Sequence, residues 1–171
     1  MADDNTAAFP RIARADLENA KNGDAWDFLF VFTEKYFELI GENEEILKEF
    51  TSSQNVLLAY NFLFDQVCNG GFIQLIVNGY GSYVFDTPFS SLLKEWGVER
   101  IAGIVDEARA VYEEHKEELE KDVTLEEFSK LYEKIKGFDP LDDRFYKVMG
   151  GETEVLKKYV EDHLEEFAVM E

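Results

Sequence analysis

Between Gln54 and Val67 apolar side chains return every third or fourth position, at Val56, Leu57, Tyr60, Leu63, Phe64 and Val67, the period of one face of an α-helix. Ala59, Phe62 and Cys68 widen that face, so the pattern predicts a buried helix with Cys68 turned inward. Asn69, Gly70 and Gly71 interrupt it. Glycine adopts positive φ without a Cβ clash, so the chain can close the first helix and re-enter a second, Phe72 to Val77, at a new angle. Asn78, Gly79 and Gly81 end that second piece.

The same period organises the flanks. Phe9 to Ala20 predicts a short helix starting near Pro10, and Asn22-Gly23 a turn. Asp24 predicts the N-cap of a helix over Ala25 to Ile40, closed by Gly41. That helix is apolar nearly all round. Trp26, Phe28, Leu29, Phe30, Val31, Phe32, Tyr36, Phe37, Leu39 and Ile40 cannot share one face, which places it either centrally or against a second copy of the chain. A short helix follows over Glu42 to Phe50, and Thr51-Ser52-Ser53 supplies the cap of the central segment.

After Gly81, SYVFD suggests a brief extended piece. Thr87-Pro88 then predicts a helix start, with Phe89, Leu92, Leu93 and Trp96 inward and Gly97 as terminator. From Val98 to about Lys121 the pattern predicts one helix that changes character. Its first half buries Ile101, Ile104, Val105, Ala108, Val111 and Tyr112, whereas its second half has only Leu119 to bury. Thr124 with Glu127 forms a capping box for a helix with Leu125, Phe128, Leu131, Tyr132 and Ile135 inward, ending at Gly137. Asp139-Pro140 predicts a turn, Asp143 to Met149 a short helix broken at Gly150-Gly151, and Glu152 to Phe167 a last helix burying Val155, Leu156, Tyr159, Val160, Leu164 and Phe167. No strand competes with these helices, no repeat appears, and no linker divides residues 1–171. The expectation is an all-α, single compact multi-helix domain.

Composition sharpens the picture at three points. The 15 phenylalanines and 46% hydrophobic content argue for a packed core in spite of a net charge of −20. The single Cys68 allows no internal disulfide and no cysteine zinc site. The opening MADDNTAAFP is acidic, and no apolar run reaches the ~18 residues of a membrane span, so the expected setting is the cytoplasm, away from membranes. Asp and Glu total 37 against 17 Lys and Arg, so the field repels nucleic acid and favours a basic partner.

Asn69-Gly70-Gly71-Phe72, followed by Gln74, Asn78 and Gly81, resembles the signature segment of the DNA mimic protein 19 family of small acidic bacterial proteins. Trp96-Gly97, Ile101 to Tyr112, Phe128 to Tyr132, Asp143 to Tyr146 and Tyr159 to Phe167 follow in the order of that family, so the similarity covers about residues 55–167. The resemblance implies a helical fold. Through a dimeric DNA mimic in the family that engages a transcription factor, it also implies a homodimer and a DNA-binding protein as partner.

Catalytic chemistry finds little support. A di-metal bundle needs Glu-x-x-His pairs, but the residues three before His115 and His163 are Tyr112 and Val160. Cys68 sits near a helix C-terminus, where the dipole disfavours a thiolate. Gly79-Tyr80-Gly81 lacks the further glycine of a dinucleotide loop and the lysine of a P-loop. The expectation is a non-enzymatic protein without cofactor or metal.

The acidic surface remains. Residues 1–50 sum to −7, residues 51–98 to −2 and residues 99–171 to −11, leaving the glycine-rich centre nearly neutral. Glu113, Glu117 and Glu120 fall on one helical stripe beside Glu114 and Glu118. Asp122, Glu126 and Glu127 continue the acid, and Glu161 with Glu165 and Asp162 with Glu166 stand four apart. Four like-charge pairs of this kind cost a helix about 1 to 2 kcal/mol. Glu117-Lys121, Glu126-Lys130 and Glu154-Lys158 are favourable pairs that suit an ordinary solvated face. The sharper reading makes these twelve carboxylates a phosphate-like row for a basic, DNA-binding protein. A neutralising, immunity-type partner of a cationic protein stays open, as does a small-molecule or peptide binder using the central glycine segment.

Overall fold

The computed structural model describes residues 8–171; the acidic opening residues 1–7 lie outside the described residues. The fold is all-α, as expected, with one addition. Strand β1 (Arg11–Ile12) pairs in parallel with β2 (Val169–Met170) near the other end of the chain, with Arg11 opposite Val169. Between them lie α1 (Arg14–Ala20), α2 (Ala25–Glu42), α3 (Ser52–Val77), α4 (Gly81–Phe85), α5 (Phe89–Glu95), α6 (Glu99–Glu114), α7 (Lys116–Leu119), α8 (Leu125–Lys134) and α9 (Asp139–Asp162). Among the described residues the chain forms two compact units, one of the residues up to 58 with 153–171, the other of residues 59–152; α3 and α9 supply residues to both.

In the first unit α2 supplies the core through Phe28, Leu29, Phe32 and Tyr36, all fully buried. Phe32 meets Phe167 edge-on, Tyr36 packs on Phe50, and the Tyr36 hydroxyl donates to the Phe167 carbonyl at 2.8 Å. Asp24 caps α2 in a reciprocal box with Asp27, and the helix runs past Gly41 to Glu42. Thr51 and Gln54 form the equivalent box on α3, and the buried Gln54 also donates its amide to the Ala8 carbonyl at 2.7 Å. The segment before α3 is a 3-10 helix, Glu44–Glu49. Beyond α9 only a 3-10 turn, Leu164–Glu166, separates its end from β2, so the helix expected to reach Phe167 stops at Asp162.

In the second unit Phe72 is the centre, fully buried among the rings of Phe85, Phe138 and Phe145. Phe85 in turn stacks on Tyr112 of α6 at 4.9 Å. Gly79 and Gly97, both at positive φ, close α3 and α5 in the same way: the glycine N–H and the next N–H reach back to free carbonyls, as in Val98 N to Leu93 O at 2.8 Å.

Several local expectations give way to tertiary context. Ser82 to Phe85 of SYVFD lie in helix α4, with Asp86 as its C-cap, not in an extended piece, and the Thr87 hydroxyl closes that helix by donating to the Tyr83 carbonyl instead of capping α5. The helix foreseen from Val98 to Lys121 breaks at His115 (φ −115°, ψ 16°) into α6 and α7, which allows Leu119 to be fully buried. Conversely, α9 passes uninterrupted through Gly150-Gly151 and begins at Asp139-Pro140. Two glycines cost a helix about 2 kcal/mol relative to alanine, and buried side chains on the same helix, Phe145 and Leu156, oppose that loss. Leu125 and Val155, expected inside, are 86% and 38% exposed. Leu125 opens α8 at a position fixed by the capping box, so its direction follows from the cap and not from the core.

Candidate functional site

The Asn69-Gly70-Gly71-Phe72 segment is a sharp bend in α3, as expected. Gly70 has φ −157°, ψ 20°, and Gly71 has φ 74°, ψ −173°. The Gly71 conformation is not the left-handed helical cap but a region open essentially to glycine alone. Such a bend frees backbone groups that the ladder would have paired, and each must find a partner when water is excluded. Side chains from far along the sequence supply them. The Tyr146 hydroxyl donates to the Val67 carbonyl at 2.8 Å, the Tyr132 hydroxyl to the Gly70 carbonyl at 2.7 Å, and the Phe72 N–H donates to Asp142 Oδ1 at 2.9 Å. Burial, with Asp139 and Asp143 nearby, pushes the Asp142 carboxyl up to about 6, against the pull of the Phe72 N–H.

Sequence patterning identified the bend but not these three partners, which stand 79, 62 and 70 residues from the groups they satisfy. On the other side of the bend Gln66 Oε1 accepts from Gln74 and Asn78, at 3.2 and 2.7 Å. Cys68 is exposed, not inward, because it falls in the last turn before the bend, with its Sγ 3.4 Å from Met149 Sδ. Burial of the sulfur and then the charge of Asp65 push its thiol up, away from nucleophilic reactivity. The glycine segment is therefore an internally satisfied joint that brings Phe72 to the core. The Val67 and Gly70 carbonyls and the Phe72 N–H are occupied by the protein itself, which weakens the small-molecule and peptide-binding alternative.

The acidic residues from 113 to 127 do not form one helical stripe. Glu113 and Glu114 end α6, Glu117 and Glu118 lie on α7, Glu120 caps its C-terminus, Asp122 sits in the connection, and Glu126 and Glu127 open α8. The break at His115 turns the expected stripe into an arc that follows the end of α6, then α7, then the start of α8. Within it Glu118 pairs with Lys134, whose hydrogen bond holds the carboxyl below its usual value; Glu126 pairs with Lys130 at 2.9 Å. Glu127 accepts the Thr124 N–H at 2.8 Å, and Glu120 accepts the hydroxyl of Tyr112, raising that phenol further beyond the effect of burial. Glu113, Glu114, Glu117 and Asp122 are exposed and form no ion pair among the described residues. An open groove of about 510 Å³ adjoins the arc, with Val123 and Leu131 between Asp122, Glu127, Lys130 and Lys134.

The second group, Glu161 to Glu166, behaves differently. Helix α9 ends at Asp162, so Glu161 and Glu165, and Asp162 and Glu166, are not pairs on one helix. Glu161 meets Lys21 at 3.1 Å and Asp162 meets Lys158 at 2.6 Å. Glu166 accepts the Ser53 hydroxyl at 2.6 Å and the Tyr159 hydroxyl at 3.2 Å. Only Glu165 of this group is both exposed and without an ion pair among the described residues. The repulsive cost anticipated from spacing is absent here, since the neighbours are lysines and hydroxyls.

No group of three or more His, Cys, Asp and Glu side chains with metal-binding geometry occurs among the described residues. His163 stacks on Tyr159 with its Nδ1 2.8 Å from the Tyr159 carbonyl, and His115 stands 3.8 Å from Glu118. Among the described residues no helix is long and apolar enough to cross a membrane.

A bent apolar helix held by distant tyrosines and an aspartate, and an arc of carboxylates only some of which are paired, belong to a sequence that matches the model of the DMP19-like protein family over residues 48–163. The chain belongs to that family. Among curated proteins it is similar to the DNA mimic protein DMP19 of Neisseria meningitidis serogroup B (strain ATCC BAA-335 / MC58), with 28% identity over 156 residues that span 88% of this chain and 93% of the relative.

Proposed function

We propose that this chain is a non-enzymatic, cytoplasmic DNA mimic that uses the arc from Glu113 to Glu127 to occupy the DNA-binding surface of a basic protein such as a transcription factor. The observation that carries the reading is the set Glu113, Glu114, Glu117 and Asp122, exposed from the end of α6 to the connection after α7 without a compensating cation among the described residues. Kinship with a protein named as a DNA mimic supports it. A DNA-binding surface draws much of its affinity from phosphate charge, so exposed carboxylates compete for the same lysines and arginines. Steering by a net charge of −20 raises the association rate at low salt. Glu118, Glu120, Glu126 and Glu127 contribute charge while serving the fold, and Leu125, 86% exposed among them, offers the partner one apolar contact. The pairing of Glu161, Asp162 and Glu166 within the protein gives that group a secondary role.

The test is capture of a partner from host lysate, followed by titration with Glu113→Gln, Glu114→Gln, Glu117→Gln and Asp122→Asn combined, with and without duplex DNA. The variant keeps its fold, since no described ion pair is lost, and its association slows severalfold with a shallower salt dependence. A complex indifferent to the four substitutions, or one that coexists with DNA on the partner, refutes the mimic. The protein acts as a homodimer in this proposal. Phe30 and Phe37, two turns apart on α2, are 45% and 37% exposed and supply an apolar face for a second copy.

A further inference from the structure

In a chain so rich in acid, most cations are answered by a carboxylate. Among the described residues Arg14, Arg100, Lys121, Lys147 and Lys157 make no ion pair, and Lys157 lies over the ring of Phe28 instead. Two of the remaining four, Arg100 and Lys147, line one open cavity of about 450 Å³ between the start of α6 and the middle of α9. Arg144 lines it too, its guanidinium held in a two-pronged pair with Glu107 at 2.6 and 2.9 Å. Glu99 is the one acidic side chain in the lining, and Ile104 and Val148 give the cavity an apolar wall.

The floor contains Gly103, inside α6. Glycine in a helix interior costs roughly 0.5–1 kcal/mol relative to alanine, and two structural reasons for accepting that cost are missing here. Its φ is not positive, and a Cβ built on it would meet nothing within 4 Å. What the glycine does provide is space, in a lining that also carries the two unpaired cations. The helix N-terminus is not what an anion would use, because the N–H groups of Arg100 and Ile101 already donate to the buried Glu152 carboxylate at 2.9 and 3.1 Å.

We infer that this cavity is a binding site for a small organic polyanion, a phosphate ester or polycarboxylate whose charges meet Arg100 and Lys147 and whose carbon portion lies over Gly103 against Ile104 and Val148. The volume suits such a ligand, and both unanswered cations stand in its lining. The site is separate from the acidic arc and stands or falls independently of the mimic reading.

The probes are pyrophosphate and citrate, titrated into the ¹⁵N-labelled full chain at physiological salt, where screening over about 8 Å limits the influence of the distant acids. Saturable shifts confined to the 99–104 and 144–148 backbone are expected, and the stronger probe tells phosphate from carboxylate chemistry. Arg100→Gln and Lys147→Gln, both on exposed side chains, each weaken binding about tenfold. Gly103→Leu fills the space, so it abolishes binding while leaving the melting temperature equal or higher. Shifts scattered over the surface lysines and arginines, no saturation with either probe, or undiminished binding by Gly103→Leu overturn the site.

Discussion

Replacing Gly71 by alanine tests the joint on which the second unit is built. At φ 74°, ψ −173° a side chain is strained by about 1–3 kcal/mol. The new Cβ would also lie 2.8 Å from Asp142 Cγ and closer still to one of its oxygens, so the carboxylate must move and the Phe72 N–H loses its acceptor. An unsatisfied buried donor costs about 1–3 kcal/mol, so the total loss is about 2–6 kcal/mol, against the 5–15 typical of a whole domain. Urea unfolding followed by circular dichroism measures it. Gly79→Ala is the control: φ is 91° there too, but nothing lies within 4 Å of its Cβ, so it pays only the backbone strain of about 1–2 kcal/mol. Gly70→Ala carries no positive-φ strain, but its Cβ would stand 2.9 Å from Gln74 Cβ, which is fixed to the backbone, so it too is expected to be destabilising. Removing the obstacle should restore part of the loss, so Gly71→Ala and Asp142→Ala are expected to be non-additive. A Gly71→Ala protein no less stable than Gly79→Ala, or strict additivity with Asp142→Ala, refutes this account.

Asp142 also predicts a pH dependence. Its folded-state value of about 6 lies above the ordinary 3.8, so the fold favours the protonated acid. This contribution to stability is full below about pH 4 and is lost as pH rises through 6, an effect of up to about 3 kcal/mol. Asp142→Asn keeps an oxygen for the Phe72 N–H and removes the titration, so the stability difference from the parent protein should widen in favour of the variant between pH 4 and 7. Light scattering at tens of micromolar should find a dimer, with Phe30→Ser and Phe37→Ser together shifting it to monomer; a monomeric parent protein ends that proposal. Leu125→Ala should change stability by less than about 0.5 kcal/mol, whereas Leu119→Ala, fully buried, should cost about 2–5 kcal/mol in the same unfolding assay.

What the sequence determined by itself was whatever depends on neighbours within a turn or two. The helical class follows from apolar period, and the caps of Asp24, Thr51 and Thr124 follow from an acceptor placed three residues before an N–H. The bend at Gly70-Gly71 and the end of α5 at Gly97 follow from glycine's access to positive φ. The excess of carboxylates was equally plain, but not their arrangement. Only the tertiary structure decided that the chain breaks at His115, where burial of Leu119 outweighs the good helix propensity of the glutamates and lysines around it. Only it decided that α9 survives two glycines, and that Glu152 caps α6 from 51 residues away. The parallel pairing of Arg11–Ile12 with Val169–Met170 is likewise invisible locally, because two residues carry no alternating pattern and the ladder exists only where the ends of the chain meet. The same holds for the functional surface. Lys21, Lys134 and Ser53 neutralise or engage Glu161, Glu118 and Glu166 across long stretches of sequence, so which carboxylates remain for a partner is a property of packing and not of spacing.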